Sequence, residues 1–240
     1  MAKIHVLAKK EELDRHRLPG KVVVVVDLLF ATTSMVAVLA HGASEVVPAA
    51  DGAGARAEAE RRPAGSYLLS GERDAVTLPG FHPPTPLALL DRGVSGRALI
   101  YATTNGTVAL RQASGASRVY AAALLNAAAV VDHLLRTAGD DTVLIACAGS
   151  ADAFNLEDFY GAGRLVSLLA GRGEGAHELS DAALAARLLH DRSDPLECLS
   201  SSRVGRMMRE LGLEREVAFA AQRDLYPVVP ELREGRLLPA

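Results

Sequence analysis

The chain has 240 residues, 49% of them hydrophobic and 23% charged, with a formal net charge of -3 at pH 7. That length allows one α/β domain with a full core, and the charge balance excludes the basic footprint of a nucleic-acid binder. The apolar stretches are strand-sized, Met1-Ala2-Lys3-Ile4 lacks a signal-peptide core, and the two cysteines supply neither a disulfide framework nor a paired metal spacing, so no membrane span and a reducing cytoplasm are expected.

Ile4–Ala8 reads as a first strand and Glu11–Leu18 as a polar connection. Val22–Val26 is a continuous β-branched run, the pattern of a central parallel strand buried on both faces. It ends at Asp27, and a helix through Met35–Ala40 follows closely behind. Glu45–Ala49 is a short strand, Ala53–Arg62 a short helix, and Pro79–Pro86 an irregular proline-rich loop. Helices over Val108–Ala113 and Ala127–Arg136 follow two further strands, Ala98–Tyr101 and Arg118–Ala122. After the strand Val143–Ala146, helical patterns cover Asn155–Ala170, Ser180–His190 and Pro195–Leu211, the last stopping at Gly212. Strand and helix alternate throughout, with no repeat and no linker, which predicts one three-layer α/β/α domain over residues 1–240.

Five apolar runs end in residues suited to chemistry: Asp27; Ser70-Gly71-Glu72-Arg73; Thr103–Thr107; Leu125-Asn126; and Cys147-Ala148-Gly149. Parallel strands align their carboxyl ends along one rim, where ligands bind, so these ends predict one composite pocket. Asp27 at a strand end can hold Mg²⁺ or take up a phosphoryl group, or simply form a turn. Haloacid-dehalogenase chemistry is excluded, because Asp27-Leu28-Leu29 lacks the second aspartate. Thr103-Thr104-Asn105-Gly106-Thr107 offers hydroxyl, amide and backbone donors for an anion, more than a helix cap needs. Glu72 can reach a metal and Arg73 can fork onto an acid group, or the two can form a surface ion pair. Glu157 and Asp158 are adjacent acids that diverge on a helix, so one is expected to touch a metal and the other to support it. Cys147 has no histidine placed to activate it, and position 153, where a Cys-x5-Arg loop needs arginine, is Ala153. It is expected to line the site without reacting. The Gly52–Ala57 segment only imitates a dinucleotide fingerprint. His41, His133 and His190 are expected on surfaces or in packing, and His82 is the histidine kept as a pocket candidate.

These pieces, in this order, resemble the 2-phosphosulfolactate phosphatases. The resemblance rests on Asp27 with Ala31-Thr32-Thr33, Gly71-Glu72-Arg73, Gly80-Phe81, Thr103–Thr107 and Leu125-Asn126-Ala127. It continues through Cys147-Ala148-Gly149, Leu156-Glu157-Asp158 with Ala162-Gly163, and Val229-Pro230. Phe30 and His82 stand where the family has Arg and Asp, and Pro83–Pro86 replaces an Asn-Ser-Pro neighbourhood. The resemblance implies an α/β/α fold with a mixed, largely parallel sheet, Mg²⁺ dependence, and hydrolysis of 2-phospho-3-sulfolactate to sulfolactate and phosphate, a step of coenzyme M biosynthesis. It makes Asp27, Glu72 and Asp158 catalytic, with Asp27, Glu72, Glu157 and Asp158 as candidate metal ligands. Thr32, Thr33, Arg73, Thr103, Thr104, Asn105, Gly106, Thr107, Asn126 and Cys147 become candidate substrate-binding residues. The implied partner is a small phosphorylated acid, with no nucleic acid and no membrane, and a homo-oligomer is left open. The alternatives are another phosphorylated 2-hydroxy acid as substrate, or a non-catalytic anion-binding protein on the same scaffold.

Overall fold

The computed structural model describes residues 3–172 and 177–240. Its strands are β1 (Lys3–Leu7), β2 (Lys21–Val26), β3 (Glu45–Pro48), β4 (Tyr67–Arg73), β5 (Val76–Thr77), β6 (Ala98–Ala102), β7 (Arg118–Ala122), β8 (Thr142–Cys147), β9 (Glu178–Leu179), β10 (Pro230–Arg233) and β11 (Arg236–Pro239). Its helices are α1 (Ala31–Ala40), α2 (Gly52–Glu60), α3 (Pro86–Leu90), α4 (Gly106–Ala113), α5 (Ala127–Thr137), α6 (Leu156–Arg172), α7 (Asp181–Arg192), α8 (Pro195–Ser201), α9 (Arg203–Glu210) and α10 (Glu214–Ala220).

The strands form one mixed sheet in the order β5-β4-β6-β3-β11-β10-β7-β2-β8-β1-β9. β2 lies between β7 and β8 and runs parallel to both. Its valines serve two cores because strand side chains alternate between faces. Val22, Val24 and Val26 pack with residues of α5, α6 and α7. Val23 and Val25 pack with Met35 and Val38 of α1 and with Ala109 and Leu110 of α4. This two-sided burial explains why the run is continuously apolar, as the α/β/α reading expected.

The structure corrects two parts of the sequence reading. Pro195–Leu211 is not one helix: α8 ends and α9 begins at Ser202, whose hydroxyl accepts from Gly205 N–H at 2.9 Å as an N-cap. The C-terminal segment, read only as part of a family pattern, is the β10–β11 hairpin, which enters the middle of the sheet antiparallel to β7 and β3. Among the described residues no helix is long and apolar enough to cross a membrane.

Candidate active site

The carboxyl ends of β2, β4 and β6 open onto a cavity of about 510 Å³ whose lining includes Asp27, Glu72, Thr103, Thr104 and Asn105. Asp27 is set by the turn after β2. Its backbone N–H donates to Thr32 Oγ1 at 2.9 Å, and that hydroxyl donates back to the Asp27 carbonyl at 2.9 Å. Thr33 Oγ1 donates to the Leu28 carbonyl at 2.8 Å. Thr32 and Thr33 therefore build the turn instead of lining the cavity, a correction to their expected role as substrate contacts. Gly106 also acts by position: a Cβ there would lie 2.7 Å from Asp27 Oδ2 and 2.4 Å from Ala31 Cβ. Only a glycine lets the start of α4 approach the carboxylate this closely.

Glu72 is held at the end of β4. It accepts from Thr104 N–H at 2.7 Å, Thr104 Oγ1 at 3.2 Å and Ala75 N–H at 2.8 Å. Strand alternation sends the next side chain, Arg73, to the other face, where it is exposed and outside the cavity lining. The expectation that Arg73 meets the substrate's acid group is corrected accordingly.

The Thr103–Thr107 loop divides its work. Thr107 Oγ1 donates to the Thr103 carbonyl at 2.9 Å, and Thr107 N–H donates to Thr103 Oγ1 at 3.1 Å, which clamps the turn. Thr107 is buried behind it. Asn105 faces the cavity and accepts from Lys10 Nζ at 3.1 Å.

The remaining expected residues lie behind the cavity wall. Asn126 accepts from Ala123 N–H at 2.9 Å and donates to the Val228 carbonyl at 3.0 Å, so it ties the C-terminal segment to the end of β7. Cys147 is fully buried, and burial pushes its thiol well above the usual range, with Asp158 adding to the effect. Asp158 spends Oδ1 on Leu28 N–H at 2.9 Å and Oδ2 on Gly149 N–H at 3.1 Å, bridging the turns after β2 and β8. Glu157 is buried too, and among the described residues its Oε2 has no hydrogen-bond partner. Among the described residues no group of three or more His, Cys, Asp and Glu side chains is arranged to hold a metal ion. Of the four acids expected as metal ligands, Asp27 and Glu72 line the cavity, whereas Glu157 and Asp158 do not. His82 is outside the cavity lining as well; burial lowers its proton affinity, helped by Arg92 and Arg97.

Electrostatics single out Asp27. Burial raises its pKa from 3.8 to about 7; Ala31 N–H opposes the rise, Glu72 and Glu157 add to it, and Lys10 opposes it. Asp158 is pushed well above its usual range by burial, then by Asp27 and Glu157. Acids crowded this way repel one another, and a cation between the cavity-facing pair relieves that repulsion. Mg²⁺ commonly takes one or two carboxylates and completes its shell with water and phosphate, a ligand count that Asp27 and Glu72 could supply.

Two polar groups escaped the sequence reading. Lys10 is buried, reaching Asn105, the Ala148 carbonyl at 3.5 Å and Glu11 Oε1 at 2.8 Å. In the sequence it sits in Lys9-Lys10-Glu11-Glu12, which looks like a solvated charge run. Arg203 lines the cavity at the start of α9, with one guanidinium nitrogen on Ser150 Oγ and, at 3.0 Å, on Asn155 Oδ1. Its only sequence signal is a serine placed to cap a new helix at position 202.

Fold and site together define an α/β/α protein with an acid, hydroxyl and guanidinium cavity at the carboxyl rim of its sheet. The family model described as 2-phosphosulpholactate phosphatase matches residues 7–235. A probable 2-phosphosulfolactate phosphatase of Symbiobacterium thermophilum is 41% identical over 92% of this chain and 95% of its own. Proteins of the same name from Carboxydothermus hydrogenoformans and Deinococcus radiodurans are 38% and 36% identical, over 98% and 91% of this chain and 96% and 90% of their own. The chain belongs to the 2-phosphosulfolactate phosphatase family and is a phosphoric monoester hydrolase.

Proposed function

We propose that this chain is a Mg²⁺-dependent phosphatase for phosphate esters of small 2-hydroxy acids, with 2-phospho-3-sulfolactate among its substrates. The observation that carries this reading is the gathering of Asp27, Glu72, Thr104, Asn105 and Arg203 around one cavity. Asp27 and Glu72 would hold the metal, which when bound neutralises phosphoryl oxygens and the leaving oxygen. Glu72 is kept in place for that task by Thr104 and Ala75. Asn105 and the start of α4 offer donors to phosphate. Arg203, oriented by Ser150 and Asn155, forks onto the substrate carboxylate. Hydrolysis breaks the P–O bond to C2; water supplies the fourth phosphate oxygen and a proton for the C2 hydroxyl.

Phosphate release from 2-phospho-3-sulfolactate and 2-phospholactate tests the reading. Release in Mg²⁺, loss in chelator, and at least a hundredfold fall in kcat for Asp27→Asn are expected. No release from either ester would favour the non-catalytic anion-binding alternative.

A further inference from the structure

The cavity is chemically two-sided. Beyond its polar groups it is lined by Phe30 at the start of α1, Ala88 of α3, Val204, Met207 and Met208 of α9, and Leu211 at the C-terminal cap of α9. The last four fall at positions i, i+3, i+4 and i+7, so they form one helical stripe. Val204 and Met208 anchor the stripe in the core, whereas Met207 is only partly buried and Leu211 is 53% exposed. Apolar surface is thus open to whatever fills the cavity.

Charge points the same way. Among the described residues the lining carries four acids, Asp27, Glu72, Asp74 and Glu216, and one cation, Arg203. Glu216 is spent on Thr85 Oγ1 at 2.6 Å and on the Leu87 and Ala88 amides. In the function proposed above, Arg203 meets the carboxylate. A sulfonate on C3 then has no further side-chain cation among the described lining residues, and against Phe30, Met207 and Leu211 it would lose solvation. An apolar substituent gains from the same surface. A volume of about 510 Å³ also exceeds the needs of a three-carbon acid and lies within the ~300–1,000 Å³ typical of drug-sized ligands.

We propose that the apolar wall is a subsite for an uncharged, apolar C3 substituent, so that a 2-phospho acid bearing an aryl or branched alkyl group is a better substrate than the sulfonate. This rests on the reading of the polar wall as a 2-phospho-acid phosphatase site.

The experiment compares kcat/KM in Mg²⁺ for 2-phospho-3-phenyllactate, 2-phospholactate and 2-phospho-3-sulfolactate. The phenyl ester is expected to exceed 2-phospholactate by about tenfold or more, the scale at which an apolar pocket discriminates, with the sulfonate lowest. Met207→Gln and Leu211→Gln should each shrink the phenyl-to-lactate ratio, and Phe30→Arg should raise the sulfonate-to-lactate ratio. A phenyl ester no better than 2-phospholactate, or a ratio that both glutamine variants leave unmoved, overturns the subsite while leaving the phosphatase reading intact. Titration calorimetry of the products, 3-phenyllactate against 3-sulfolactate, separates the remaining case. If no ester is hydrolysed but phenyllactate binds more tightly, the subsite stands and the phosphatase reading falls; if sulfolactate binds as tightly or more so, the subsite falls.

Discussion

Lys10 and Asp27 are both buried, at 7% and 8% exposure, and the lysine opposes the rise in the aspartate's pKa. This sets a sign. A metal needs the carboxylate form, and with no metal bound burial raises the pKa of Asp27 to about 7. Removing the cation as Lys10→Met raises the aspartate's pKa further. The acid limb of the Mg²⁺-dependent rate should therefore move to higher pH, while Lys10→Arg, which keeps the charge, should hold the limb near its wild-type position. A full pH profile of kcat/KM reads this directly; an unmoved limb in Lys10→Met would mean that another group sets it. Lys10 was hidden in the sequence because burial of a lysine in a mixed-charge run depends on the ends of β6 and β8 meeting it in space. Asp27 and Glu72 were legible because each lies at the carboxyl end of an apolar strand whose parallel partners fix where that end points.

At the scale of elements, the corner between α8 and α9 decides where Arg203 sits. A Cβ at Gly205 would fall 1.8 Å from the Leu199 carbonyl oxygen and 2.8 Å from its carbon. Gly205→Ala must therefore push α9 away from α8, at a cost of about 1–3 kcal/mol for overpacking. The same shift moves Arg203 relative to Ser150 and Asn155 and tilts the Met207–Leu211 stripe. KM for 2-phospholactate should rise several-fold beside a drop in Tm, and a drop in Tm with unchanged KM would show the corner to be structural only. The apolar and helical periodicity of Pro195–Leu211 is real on both sides of the break, which is why the sequence reads as one helix. The break comes from a serine that caps and a glycine that allows close contact, and neither disturbs a periodicity pattern. The C-terminal hairpin was similarly opaque. Its two-residue turn, Glu234-Gly235, places both residues at positive φ, 50° and 78°, without the Asn-Gly or Asp-Gly signature that marks such turns.

Across the whole molecule, that hairpin divides the sheet. On one side lie β5, β4, β6 and β3, which supply Glu72, Thr104 and Asn105; on the other lie β7, β2, β8, β1 and β9, which supply Asp27. The hairpin's registered pairings to its neighbours are Glu231 with Tyr120 and Leu237 with Val46. With so thin a ladder, side-chain packing must couple the halves, and Leu237 is fully buried in the core that holds Val25, Val46 and Leu99. Leu237→Ala should cost about 2–5 kcal/mol, as large-to-small core changes do, and it should also loosen one half from the other. Leu165→Ala, equally buried but on α6 away from the divide, should cost a similar amount within one half only. Calorimetry separates the two losses. Leu165→Ala should lower Tm with calorimetric and van't Hoff enthalpies still equal, whereas Leu237→Ala should lower Tm and drive their ratio above one, the sign of lost two-state behaviour. Mg²⁺ affinity should fall more in Leu237→Ala, because its acids come from opposite sides of the hairpin. Equal enthalpy ratios in the two variants would mean that α1 and α4, which pack against strands of both halves, couple the sheet without help from the hairpin.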